Sequence, residues 1–218
     1  MKRIVLTLLT LMLLFGTAGC LGASASKRKD LKELDLSTLF SEEEGYHFEN
    51  IRWWMTEEEI QEATDKALTS VGGYGADGIA VYNADGLGIR ILDRVCDGAT
   101  AAFDENGLCY MVSFIFQDSK YATSPVTLKN LSSQYYERLT EAFGEPDEVL
   151  SDSGVTGNAT YQYKEYYWRY TTPDGKVTEL QWAKSYVVDE NDPALITLGV
   201  ICLTDLLTDE AASSSGVR

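Results

Sequence analysis

The sequence predicts an α+β fold with two helices packed on antiparallel β-sheet. Two segments, from Thr56 and from Leu128, carry helix start and stop signals around a one-sided apolar stripe. The segments after each alternate apolar and polar residues and are separated by turn dipeptides. The order is helix, strands, helix, strands, so a helix–meander unit could be present twice, over 53–118 and 127–204.

The first helix opens within NIRWWMTEEEIQEATDKALTSVGG. Thr56 is its N-cap and Glu59 stands at N3, which makes a capping box; Met55 and Ile60 form a hydrophobic staple. Ile60, Ala63, Ala67 and Val71 share one face, and Gly72-Gly73 stop the helix. Glu57, Glu58 and Glu59 complement the helix dipole in the first turn, which accounts for them without catalysis.

Short strands follow. One runs from Ile79 to Asn83; in the next, Ile89, Ile91 and Val95 alternate with Arg90 and Arg94. Asp97-Gly98 is a hairpin signal leading to a return strand over 99–104, and DENG turns again. Leu108 to Phe116 is apolar on both faces, as expected of a central strand. The second helix places Leu128, Leu131, Tyr135, Leu139, Ala142 and Phe143 on one side and ends at Gly144 before Pro146. Three long strands, roughly 160–171, 176–188 and 194–204, close the chain.

The TTPDGK turn fixes a register. With Pro173-Asp174-Gly175 as a three-residue loop, Thr172 opposes Lys176, Trp168 opposes Leu180 and Tyr166 opposes Trp182. The other face then pairs Arg169 with Glu179 and Tyr167 with Gln181. This register separates an apolar face from a polar one. Tyr166, Trp168, Tyr170 and Trp182 line the aromatic face. Such a face is more often core beneath a helix, and the four are at the same time the candidate binding residues should it be a ligand platform.

The N-terminus has three zones: basic Lys2-Arg3, apolar Ile4 to Phe15, and small Gly16 to Gly19 before Cys20. This is the order of a secretory signal. About 12 apolar residues at ~1.5 Å each fall short of the ~30 Å hydrocarbon core. The expected organisation is a signal peptide over 1–19, a lipidated Cys20 with a flexible tether to 45, a globular domain over 46–207 and a disordered tail over 208–218. Lys27, Arg28 and Lys29 in the tether suit an anionic membrane surface.

Composition narrows the partners. The chain has 218 residues, 44% of them hydrophobic, enough for one sizeable core. Its net charge of −16 repels phosphate backbones, which disfavours nucleic acid. Beyond Cys20, Cys96, Cys109 and Cys202 are widely dispersed and give no disulfide framework; any pairing among them is open.

TAGC at 17–20 resembles the lipobox of bacterial lipoproteins, with Thr17 where leucine is usual. That resemblance implies a diacylglyceryl thioether on Cys20, with palmitate-type acyl chains, and cleavage just before it. Two chains hold a bilayer stably where one does so only marginally. In addition, IRWWMTEEEI, AAFDENGLCYMVSFIF and YYERLTEAFGEPD resemble exported lipoproteins of the β-lactamase-inhibitor-protein-like and SmpA/OmlA-like group. That resemblance implies binding or scaffolding at an envelope, protein inhibition in one branch, and no catalytic residues.

Other motifs lack their required context. Gly73 to Gly78 spells GxGxxG but follows a helix and leads to a strand, the reverse of a dinucleotide site. Asn83-Ala-Asp85-Gly86 lacks the flanking ligands of a calcium loop. His47 is the single histidine, and with Cys96, Cys109 and Cys202 it gives no zinc spacing. No catalytic constellation or cofactor motif stands out. The expectation is a membrane-anchored, extracytoplasmic, non-catalytic binding or scaffold domain with an envelope protein as partner and an open oligomeric state. The alternative is an envelope hydrolase that uses carboxylates the sequence does not single out.

Overall fold

The computed structural model describes residues 33–64, 68, 73–74, 80–83, 87–117, 127–156, 159–186 and 195–203. In chain order, a 3-10 turn at Leu36–Leu39 precedes the two-stranded β1 (Phe40–Ser41) and β2 (Gly45–Tyr46). Helix α1 (Glu57–Thr64) leads to β3 (Gly73–Tyr74) and β4 (Ala80–Asn83). A small hairpin, β5 (Arg90–Ile91) and β6 (Arg94–Val95), precedes β7 (Gly98–Phe103) and β8 (Cys109–Gln117). Helix α2 (Leu128–Phe143) is followed by β9 (Glu148–Thr156), β10 (Ala159–Thr171), β11 (Val177–Tyr186) and β12 (Leu195–Cys202). Eight strands make one antiparallel sheet in the order β3-β4-β7-β8-β12-β11-β10-β9, so the two four-strand runs meet where β12 pairs with β8.

The expected α+β class, with two helices layered on a sheet and a duplicated helix–meander unit, is corrected to a mostly-β domain. Among the described residues α1 has eight residues and buries Ile60 alone, while α2 has 16 and buries five. The four-strand runs are also unequal: β3 has two residues and β10 has 13. The long strands carry most of the sheet's pairing: hydrogen-bonded pairs of ten and nine residues flank β10.

Local signals hold where their partners lie nearby. Thr56 N–H donates to Glu59 Oε2 at 2.8 Å, and Glu59 N–H donates to Thr56 Oγ1 at 3.3 Å, the reciprocal capping box. Helix α2 spans the predicted residues, with Thr127 as N-cap and Gly144 closing it at φ 81°. The 172–176 turn gives the predicted register: Tyr166 opposes Trp182, Trp168 opposes Leu180 and Arg169 opposes Glu179.

Contacts distant in sequence override local signals elsewhere. The turn expected at Asp97-Gly98 is instead at Leu92-Asp93, both left-handed (φ 49° and 64°), between β5 and β6. The Glu33 carboxylate, 59 residues away, accepts from the Leu92 and Asp93 amides and holds that turn. The folded unit begins before residue 46. Within the segment expected to be tether, Leu39 is fully buried, and Leu34, Leu36 and Phe40 pack on the core. Gly45 (φ 69°) lies so close to β11 that a Cβ there would sit 2.1 Å from Thr178 Oγ1. Tyr46 N–H donates to the same hydroxyl at 2.9 Å. The signal segment, Cys20, residues 27–29 and the 208–218 tail lie outside the described residues.

Candidate functional site

The sheet has two unlike faces. On the first, Phe114, Leu198, Trp182 and Tyr166 stand in one cross-strand row and Val112, Val200, Leu180 and Trp168 in the next. Helix α2 covers this face: Tyr135 packs on Trp182 with ring centroids 5.2 Å apart and Tyr136 on Tyr166 at 4.6 Å. The Trp168 Nε1–H donates to the Gly144 carbonyl at the helix end, 2.8 Å away. Tyr135 Oη and Trp182 Nε1 are buried without a hydrogen-bond partner among the described residues. Trp168 and Trp182 are 1% and 0% exposed, Tyr166 is also buried, and Tyr170 is half-buried against the edge of Phe40. The four aromatic candidates are therefore brought together as core and not as an accessible platform.

The opposite face is polar, and its central side chains are buried as well, while Arg169 and Asp152 towards the β9 edge are exposed. Register places Glu165, Ala183, Thr197 and Ile115 in one row across β10, β11, β12 and β8. The next row holds Tyr167, Gln181, Gly199 and Ser113, with Thr100 of β7 beyond. The third holds Arg169, Glu179, Ile201 and Met111. Burial of polar groups is unfavourable unless they are paired, and most are. Thr100 and Ser113 hydroxyls bond at 2.7 Å. Arg169 donates through Nε to Glu179 and through Nη2 to Glu148, each at 2.6 Å. Tyr163 Oη donates to Asp152 at 3.2 Å.

A directed chain crosses the middle of the face. Gln181 Nε2 donates to Tyr167 Oη at 3.3 Å, and Tyr167 Oη donates to Glu165 Oε2 at 2.6 Å. Thr197 Oγ1, in a residue 2% exposed, has no hydrogen-bond partner among the described residues. Between these groups the sheet carries only Ala183 and Gly199. A Cβ at Gly199 would meet Ser113 Cβ at 3.6 Å and Gln181 Oε1 at 3.8 Å, ordinary contacts. A glycine inside a strand weakens it and often marks a bulge, a bend or a close approach to the backbone.

Burial shifts the carboxyls. It pushes Glu165 up from the usual carboxylate range, against the opposing effect of the Tyr167 hydrogen bond. It pushes Glu179 up to about 7 even against Arg169. The Tyr167 phenol is raised by burial and then by Glu165. At the far end of the aromatic face Lys164 opposes Lys184, and both ammonium groups lie 5.2 Å from the Tyr166 ring centroid. Burial, and then Lys164, lower Lys184.

The remaining sequence candidates stay apart from this face. His47 is buried, bonds the Glu49 carbonyl at 3.0 Å and is lowered mainly by burial. Cys96, Cys109 and Cys202 are buried in the apolar core and none of them forms a disulfide among the described residues. Gly73-Tyr74 is strand, and the rest of the GxGxxG stretch lies outside the described residues, as do residues 84–86. Among the described residues no group of three or more His, Cys, Asp or Glu is placed to hold a metal, and no helix is long and apolar enough to cross a membrane.

Sequence reasoning isolated the Arg169–Glu179 and Tyr167–Gln181 pairs as one polar face and named no site there. The signal it passed over is the run Leu198-Gly199-Val200. A glycine and Thr197 interrupt an otherwise apolar strand on the polar-face parity. Compared with known proteins, the chain matches no family model, no curated protein and no solved structure.

Proposed function

We propose that this chain is an extracytoplasmic lipoprotein, anchored through Cys20, whose β-domain binds a small polar ligand on the face around Gly199. The lipobox-like TAGC and the signal-like segment support the anchoring. One observation supports the binding: Thr197, whose hydroxyl has no hydrogen-bond partner among the described residues, lies beside the two small residues Ala183 and Gly199 on a face of mostly paired polar groups. A docking role through apolar contact has less support, because Val149 is the one exposed large hydrophobic side chain among the described residues.

Two measurements test this reading. Cys20→Ala should release the protein from the membrane fraction; retention to the same extent rules out the anchor. Native mass spectrometry of protein extracted gently from membranes should show a bound mass that Gly199→Phe abolishes. A bare wild-type mass, together with no crosslinked partner in intact cells, rules out the binding role.

A hydrolase remains the second reading, because Glu165 and Glu179 both stand above the ordinary carboxylate range on one face. Each is held by a structural partner, Tyr167 or Arg169, which favours binding over turnover. Hydrolysis of esters or glycosides that disappears in Glu179→Gln, with the fold kept, would reverse that preference.

A further inference from the structure

We propose that Lys164 and Lys184 together bind a phosphoryl group at the far end of the aromatic face. The pair stands on the side of the sheet opposite Gly199, so it goes beyond the polar-face reading and is tested separately from it. Register sets the two lysines directly opposite each other on β10 and β11. Like charges so placed repel and weaken a sheet. Each lysine is half-buried, so the pair reaches solvent without needing a cavity. Both ammonium groups lean the same way, each 5.2 Å from the centroid of the Tyr166 ring. Tyr136 of α2 already packs on that ring at 4.6 Å, which confines the two cations to the rest of it.

Nothing anionic on the protein offsets them. Among the described residues no carboxylate pairs with either ammonium, although the chain has 34 acidic against 18 basic residues. Their cross-strand row is Ser151, Lys164, Lys184, Ile196 and Phe116, which holds no acid. The acids next along the strands, Asp152 and Glu165, have the other parity and stand on the polar face. Burial pushes the Tyr166 phenol up to about 12, so it stays neutral and supplies no charge. Burial, and then Lys164, lower Lys184, the mark of two ammonium groups left to repel each other.

Two adjacent cations call for a compact ligand with about two negative charges. A phosphate monoester carries about −1.5 to −2 at pH 7 and presents three acceptor oxygens, enough for both ammonium groups. Lysine binds phosphate as a point charge, so no planar fork is needed. A carboxylate brings a single charge and leaves one lysine unmatched. The net charge of −16 opposes a long polyanion, which would run past these two lysines onto acidic surface. A single phosphoryl group feels that field only nearby, because ~0.15 M salt screens charges beyond about 8 Å. A lipid headgroup and a soluble phosphate ester share this chemistry.

The test uses the full chain in maltoside micelles, which contain no phosphate. The readout is the side-chain signals of Lys164 and Lys184 and the ring signals of Tyr166. Glycerol 3-phosphate should move them in a saturable way, whereas acetate and chloride at equal ionic strength should not. Lys164→Gln and Lys184→Gln should each weaken binding by about 10-fold or more. Lys164→Arg, which keeps the charge, should hold it within about 3-fold. The wild-type comparison with acetate and chloride decides the matter should a glutamine variant fail to fold. If phosphatidate doped into the micelles binds more tightly than glycerol 3-phosphate, the natural source is a lipid headgroup; if more weakly, it is a soluble ester. Either result supports the phosphoryl site. Should acetate or chloride reproduce the shifts, the pair is a general anion contact and the phosphoryl assignment falls. Unchanged binding in both glutamine variants, or no movement with either phosphate compound, overturns the proposal.

Discussion

The two faces of the sheet share strands, register and degree of burial, yet they are held by different physics. The face under α2 stacks Trp168, Trp182 and Tyr166 against Tyr135 and Tyr136. Its stability scales with apolar area removed from water. The opposite face buries charges and amides, so its stability depends on each group finding a partner. The same alternation that hides tryptophan on one side therefore hides Glu165 and Glu179 on the other. A half-buried antiparallel sheet would have left the polar side wet. Burial on both sides turns an ordinary polar stripe into a network in which one unpaired hydroxyl matters.

Substitutions separate the two regimes. The largest effect belongs to the aromatic face. Trp168→Ala and Trp182→Ala should each cost about 3–5 kcal/mol by urea denaturation, whereas Thr197→Val on the other face should change stability by less than ~1 kcal/mol. Equal losses would mean that the polar face is packed as tightly as the core. The glycines give the next contrast. Gly45→Ala combines a left-handed backbone with a clash against Thr178 and should cost about 1–3 kcal/mol or more. Gly199→Ala meets only ordinary contacts and should be tolerated within ~1 kcal/mol.

The third effect is confined to the polar face. A carboxyl whose folded pKa exceeds its unfolded one favours folding while protonated. Glu179, shifted from 4.5 to about 7, therefore adds stability that is complete below about 4.5 and lost as the pH rises through about 7. Between those pH values the urea midpoint of the wild type should fall relative to Glu179→Gln. A parallel pair of curves would show that Arg169 keeps the carboxylate ionised throughout. The smallest effect lies off the sheet: Thr56→Ala opens the capping box and should cost ~1 kcal/mol without altering either face.

What the sequence shows follows from the range of each signal. Caps, helix stops and the 172–176 turn depend on residues within four positions, so α2 and the β10–β11 register are legible in full. The Leu92-Asp93 turn depends on Glu33, and no local pattern announces a carboxylate 59 residues away. Strand β9 escapes a sequence reading because Glu148, Ser151, Asp152 and Ser153 give it a polar, loop-like composition; pairing with nine residues of β10 makes it a strand. For the site, alternation identifies which residues share a face. It carries no information on whether that face is covered, so alternation alone leaves the aromatic row open between core and platform and says nothing of what lies over the polar pairs.

The entry of the chain into its fold has a mechanical consequence. Among the described residues, a pull from the N-terminal side first meets the Glu33–Arg90 bridge and the Leu34 amide bond to Arg90. Next come Leu39 and the Gly45–Thr178 contact, and only then the eight-stranded sheet. These fastenings would yield in sequence, peeling off the strap of residues 33–46 while β8, β12, β11 and β10 stay paired. If the chain is anchored through Cys20 as proposed, the strap of residues 33–46 would work as a fuse: tension would detach it before reaching the face around Gly199.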